Sequence, residues 1–143
     1  FVGGETLADC AKTVEKLSEH NVNSILDYSV EGGSKPEIIL QTLDETLESI
    51  RNAGINKDIP FAVFKPTALC PKETLAKVSS NQILDEQETN EFEDFKKRIN
   101  KLCQSAENES ISIMIDATVS SSKIYLQAIL VIEPSKPGKP PCL

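Results

Sequence analysis

Three apolar runs in this chain each stop at a charged residue: "NSILD" at Asp27, "FAVFK" at Lys65 and "ISIMID" at Asp116. Runs that leave so little to hydrate read as buried strands, so each charge marks where the chain leaves the core. Glu5, just beyond the short run Phe1-Val2, joins the set. In a parallel sheet built from βα units these residues arrive at one face, and in (β/α) barrels that C-terminal mouth is where chemistry is carried out. An ammonium among carboxylates there is a working group. The competing reading is that Asp27 and Asp116 only cap the next turn and that Lys65 pairs with one of them.

The elements that must position these charges follow from periodicity. Short apolar runs alternate with helix-period segments, which predicts α/β organisation with four parallel strands over residues 1–3, 23–27, 61–65 and 111–116. Each strand should lead into a helix through a right-handed crossover. Thr6 with Asp9 caps the first helix, whose inward stripe is Leu7, Cys10, Val14 and Leu17. It ends at His20-Asn21, which makes His20 a helix C-terminal residue rather than a base. Ser34 and Glu37 form a capping box around Pro36 for the second, with Ile39, Leu43, Leu47, Ile50 and Ala53 inward and Gly54 as the stop. A short helix starts at Pro71. A longer one runs from an Asp85/Glu88 cap through Phe92, Phe95, Ile99, Leu102 and Ala106, with Glu91, Glu93, Asp94, Lys96, Lys97 and Arg98 as a solvated face. A last helix begins within residues 120–122 and carries Ile124, Ala128 and Ile129. After Ile132 four of eleven residues are proline, which predicts a disordered tail over residues 133–143.

Composition narrows the function classes. A net charge of −7 and a pI near 4.8, with no stripe of Lys and Arg, argue against nucleic acid or anionic lipid as partners. Cys10, Cys70, Cys103 and Cys142 are widely spaced and only His20 could join them, so no metal site or redox motif is expected; the thiols read as buried and reduced. No apolar run is long enough to span a bilayer, and "FVGGET" lacks the basic start of a signal peptide, so the expected location is intracellular. A start at Phe1 rather than Met suggests a piece of a longer chain.

"FVGGET", "SILDYSVEG", "FAVFKPTAL" and "IMIDA", in this order and at these separations, resemble the first four βα units of the proline dehydrogenase family, with the short joins most similar to bacterial members. The resemblance covers roughly residues 1–130. It implies a partial (β/α)8 TIM barrel over residues 1–132, FAD bound across the barrel mouth, and oxidation of L-proline to 1-pyrroline-5-carboxylate in proline catabolism. It also implies a cytoplasmic location in a bacterium and the mitochondrial matrix in a eukaryote. Lys65 matches the family's strand lysine, placed beside flavin and substrate carboxylate. Asp116 matches the acid of the D-A-E motif, which also faces the active site; the resemblance makes it a catalytic and cofactor-binding residue. Asp27 and Glu31 match the two acids of the family's L-D-Y-x-x-E strand end, where the glutamate pairs with an arginine closing over the substrate.

Two departures stand out. The family's D-A-E is Asp116-Ala117-Thr118 here, so one carboxylate is replaced by a hydroxyl. The later half of the family's barrel, with its tyrosine, its tyrosine and arginine pair and most FAD contacts, has no counterpart after Leu130, and four βα units supply half of a barrel of about 250 residues. The expectation is therefore a truncated fragment inactive alone. The alternative is a non-catalytic remnant that self-associates or binds a partner through open sheet edges.

Overall fold

The apolar stripes place the helices. In the computed structural model, which describes residues 4, 6–27, 35–116 and 130–132, the first helix, α1, spans Leu7–Ser18. Its cap is the expected one: the Thr6 hydroxyl accepts from the Asp9 N–H at 3.2 Å and donates to the Asp9 carboxylate at 2.7 Å. The chain leaves α1 through Asn21, whose φ of 57° is a left-handed turn conformation open to Asn. His20 lies in that turn, exposed.

Helix α2, Pro36–Ile55, departs from expectation at both ends. Lys35 is the N-cap and offers no side-chain bond; Ser34 lies outside the described residues. Pro36 at the first helical position explains why the start tolerates this, since proline has no N–H to leave unpaired and its φ is already helical. Gly54 is no terminator: the helix continues to Ile55, with Asn56 extended at its end. A Cβ on residue 54 would sit 2.8 Å from the Glu109 Cβ, so the glycine is where α2 and the end of the long helix approach closely.

Strand β1, Phe61–Phe64, is followed by the one-turn helix α3, Pro66–Leu69, which the sequence pattern did not reveal. Then come α4, Lys72–Ser79, and α5, Glu86–Glu109. The Asp85/Glu88 capping box that starts α5 has both reciprocal bonds, 2.8 Å and 3.1 Å. Ser110, in the left-handed region, turns the chain into β2, Ser112–Ile115. The core is one layer of helix against one face of sheet: Leu43, Leu47 and Ile50 of α2 and Ile99, Leu102 and Ala106 of α5 pack on Ala62, Phe64 and Ile113, with Leu69 between them. A smaller cluster of Val14, Ala53 and Ile59 receives Leu26.

The sheet order is β1-β2-β3. β1 and β2 are parallel and in register, Phe61 opposite Ser112 through Phe64 opposite Ile115. The expected strand over residues 23–27 contracts to a single parallel bridge, Leu26 with Ala62. The expected strand over residues 1–3, the last helix and the tail lie outside the described residues. Leu130–Ile132, to which the sequence pattern assigns no strand, is strand β3, antiparallel to β2 with Ile113 opposite Ile132. Val131 and Ile132 are β-branched and suit a ladder position, and an antiparallel strand needs no helical crossover to reach the edge of β2. The architecture is thus α/β, mostly helical, with a parallel pair and one antiparallel strand. Among the described residues no helix is long and apolar enough to cross a membrane.

Leu102 is fully buried at the centre of this packing. Leu102→Ala should cost about 2–5 kcal/mol, read as a lower urea midpoint at unchanged slope; a loss below about 1 kcal/mol would contradict the core described.

Candidate functional site

Side-chain alternation decides what the strands present on each face. Ala62 and Phe64 of β1 and Ile113 of β2 belong to the helix-side core, Ile115 packs on it, and Leu26 faces the smaller cluster. The residues that follow Leu26, Phe64 and Ile115 are Asp27, Lys65 and Asp116, so all three turn to the sheet face away from the helices. All three also sit at the C-terminal end of their segment. The ladder extends one step further, because the Asp116 N–H donates to the Phe64 carbonyl at 3.0 Å.

The three charges meet. The Lys65 Nζ donates to Asp27 Oδ2 at 2.8 Å and lies 3.9 Å from Asp116 Oδ2. Lys65 is the most enclosed, its side chain 17% exposed against 37% for Asp27 and 34% for Asp116. Partial enclosure strengthens such a pair relative to an open surface pair, which contributes about 0.2–1 kcal/mol. One positive and two negative groups leave the trio net negative. Chemically it presents an ammonium held by one carboxylate, with a second carboxylate beside it. The structure therefore brings together Lys65, Asp27 and Asp116. Glu31, Glu5 and Thr118 lie outside the described residues.

A second polar group supports the turn after Lys65, and sequence reasoning missed it. Arg98 and Glu91 were assigned to the solvated face of α5, but both are half-buried. Arg98 donates through Nη1 to the Leu69 carbonyl at 2.9 Å. Glu91 accepts from the Thr74 hydroxyl at 2.8 Å and from the Gln87 amide at 3.0 Å. The signal was present: residues 91, 95, 98 and 102 are spaced by four, three and four, so both charges lie on the seam of Phe95 and Leu102. The rest of that face behaves as expected, with exposed pairs Glu93–Lys96 and Asp94–Lys97. Hydrogen bonding with Asp94 raises the Lys97 pKa, and the same bond lowers that of Asp94.

Cys70, at the end of α3, is fully buried. Burial, and secondarily the Glu91 carboxylate, pushes its thiol up from 9.0 to about 11. Cys103 is buried too, while Cys10 is only partly so. Among the described residues no group of His, Cys, Asp and Glu could hold a metal ion.

A parallel strand pair with a charged trio at its C-terminal end and helices packed on one face defines an α/β protein. Comparison with known proteins identifies the family. The family model for proline dehydrogenase matches residues 10–131, and the chain belongs to that family. It is 28% identical over 117 residues to the carbapenem antibiotics biosynthesis protein CarD of Pectobacterium carotovorum subsp. carotovorum, a match that covers 82% of this chain and 31% of that protein. The chain thus spans about a third of the length of this curated relative. No solved structure matches.

The thiol environment gives a test. In the native chain at pH 8, iodoacetamide should modify Cys10 well before Cys70 and Cys103, as read by peptide mass spectrometry, and the order should vanish in urea. Because the folded state holds the Cys70 proton to about 11 against 9.0, its contribution to stability is complete below pH 9.0 and is lost as pH rises towards 11. Rapid labelling of native Cys70 at pH 8 would contradict its burial.

Proposed function

We propose that these residues form the N-terminal half of a (β/α)8 barrel in an FAD-dependent enzyme that oxidises L-proline to 1-pyrroline-5-carboxylate. The observation that carries the reading is the position of Lys65: an enclosed ammonium at the C-terminal end of β1, on the face away from the helices, between Asp27 and Asp116. Family membership supplies the reaction class. The relative's printed role lies in antibiotic biosynthesis, so the choice of proline rests on the family and not on that relative.

The donor set fits a flavin site, since an ammonium held at a sheet edge can face a ring system that gains negative charge on reduction while the carboxylates keep the ammonium in place. Lys65 and Asp116 are the residues that would hold the cofactor. FAD, when bound, supplies the two-electron acceptor that takes a hydride equivalent from proline. In this proposal Lys65 binds the substrate carboxylate and stabilises negative charge developing beside it. Asp27 fixes the direction of the ammonium through its 2.8 Å hydrogen bond. Asp116 shapes the field on the other side. Glu31 is assigned to pair with an arginine that closes over the substrate. We further assign the protein to an intracellular compartment.

Within these 143 residues the trio carries a net negative charge, which repels a carboxylate instead of collecting it. Positioning of substrate and flavin contributes about 7–11 kcal/mol to such a reaction, and one cation cannot supply it. The purified 143-residue chain should therefore give no proline-dependent dye reduction with added FAD; turnover comparable to that of a complete barrel would overturn the half-barrel reading. In a complete barrel carrying this segment, Lys65→Ala should lower turnover by about 10²-fold. Unchanged turnover would remove Lys65 from the chemistry.

A further inference from the structure

We infer that Arg98, on the helix that leads into β2, is a positioning residue for Lys65. The connection is short. Lys65 is the N-cap of α3, and its carbonyl accepts the Ala68 N–H at 3.0 Å. One turn later the Cys70 N–H closes on the Pro66 carbonyl at 3.1 Å. The segment from Lys65 to Cys70 is thus a single hydrogen-bonded turn, and whatever fixes its far end fixes Lys65.

That far end needs fixing. A one-turn helix leaves its last carbonyls without helical partners, and here Leu69 and Cys70 are both fully buried, so solvent is a poor substitute. Arg98 supplies the missing donor, its Nη1 2.9 Å from the Leu69 carbonyl. A guanidinium suits the task because it is rigid, planar and permanently charged, and hydrogen bonds from charged donors are the stronger class. The same helix, α5, turns at Ser110 directly into β2 and so carries Asp116 to the rim. Arg98 therefore ties the cation of the trio to the element that delivers one of its carboxylates. Its neighbours Lys96 and Lys97, in exposed pairs on the same helix, make no such contact with α3.

The catalytic meaning of this tie rests on the role proposed for Lys65, but the tie itself is testable without flavin or substrate. The exchange of the Lys65 ammonium protons with water, measured by nitrogen-15 NMR on lysine-labelled full chain, reports how well the ammonium is held against Asp27. Arg98→Met keeps the packing and removes the donor, and it should speed that exchange by about 2- to 10-fold, the loss expected for one hydrogen bond. Arg98→Lys, which keeps a charged donor, should recover most of the protection. Asp85→Ala removes the capping box at the other end of α5 and lowers stability without touching the turn, so it should leave Lys65 exchange as in the wild type. If Arg98→Met does not fold, Arg98→Gln is read in its place. Unchanged exchange in folded Arg98→Met, or in Arg98→Gln where that is read in its place, or an equal rise in Asp85→Ala, would overturn the positioning role. Failure of the flavin reading leaves this result standing, and the reverse is also true.

Discussion

The in-register parallel pairing of β1 with β2 is the constraint on which the remainder depends. Parallel strands start and end at the same edges, so the residues that follow them emerge side by side, and here those residues are Lys65 and Asp116. A slip of one residue would turn every side chain of the strand to the opposite face and carry Asp116 to the helix side. The register is held by the helix-side core, because Ala62, Phe64 and Ile113 bury against α2 and α5 only in this alignment. Hydrophobic packing on one face thus fixes electrostatics on the other. A parallel pair also demands a long crossover, and the segment from α3 to α5 fills it.

That crossover is more than a return path. It begins with the turn that Lys65 caps and ends with the turn that launches β2, and α5 touches both. Enclosing an ammonium costs desolvation energy, which a single carboxylate at 2.8 Å offsets and a second at 3.9 Å assists. The longer contact is to a carboxylate that is about a third exposed, so solvent screens it and it adds less than the 2.8 Å bond. The arrangement holds the cation firmly but leaves the rim net negative. Binding an anionic substrate beside it therefore calls for further cations from other parts of a complete site.

Where a signal was local or carried by one face of an element, the sequence was legible. The Thr6 and Asp85 caps, the stripes of α2 and α5 and the apolar cores of β1 and β2 all show themselves in spacing, because capping and burial are decided within a few residues. The rim was legible for the same reason: a charge after an apolar run has one place to go. Features set by contacts between distant elements were not. Gly54 looks like a helix stop until Glu109 is seen against it. Leu130–Ile132 has no periodicity long enough to separate helix from strand, and its choice of β2 as partner is tertiary. Arg98 was hidden by its neighbours, since a charge run reads as solvent-facing unless each position is placed on the helical seam.

The central claim is that the fold holds Lys65 and Asp27, 38 positions apart, as one interacting unit at the C-terminal rim. A double-mutant cycle of Lys65→Met and Asp27→Asn, followed by urea unfolding at low salt, measures that directly. The account predicts a coupling of about 0.5–3 kcal/mol that shrinks as salt is added. Additivity within about 0.3 kcal/mol would mean that the two residues do not act together, and the rim would lose its claim to be a site.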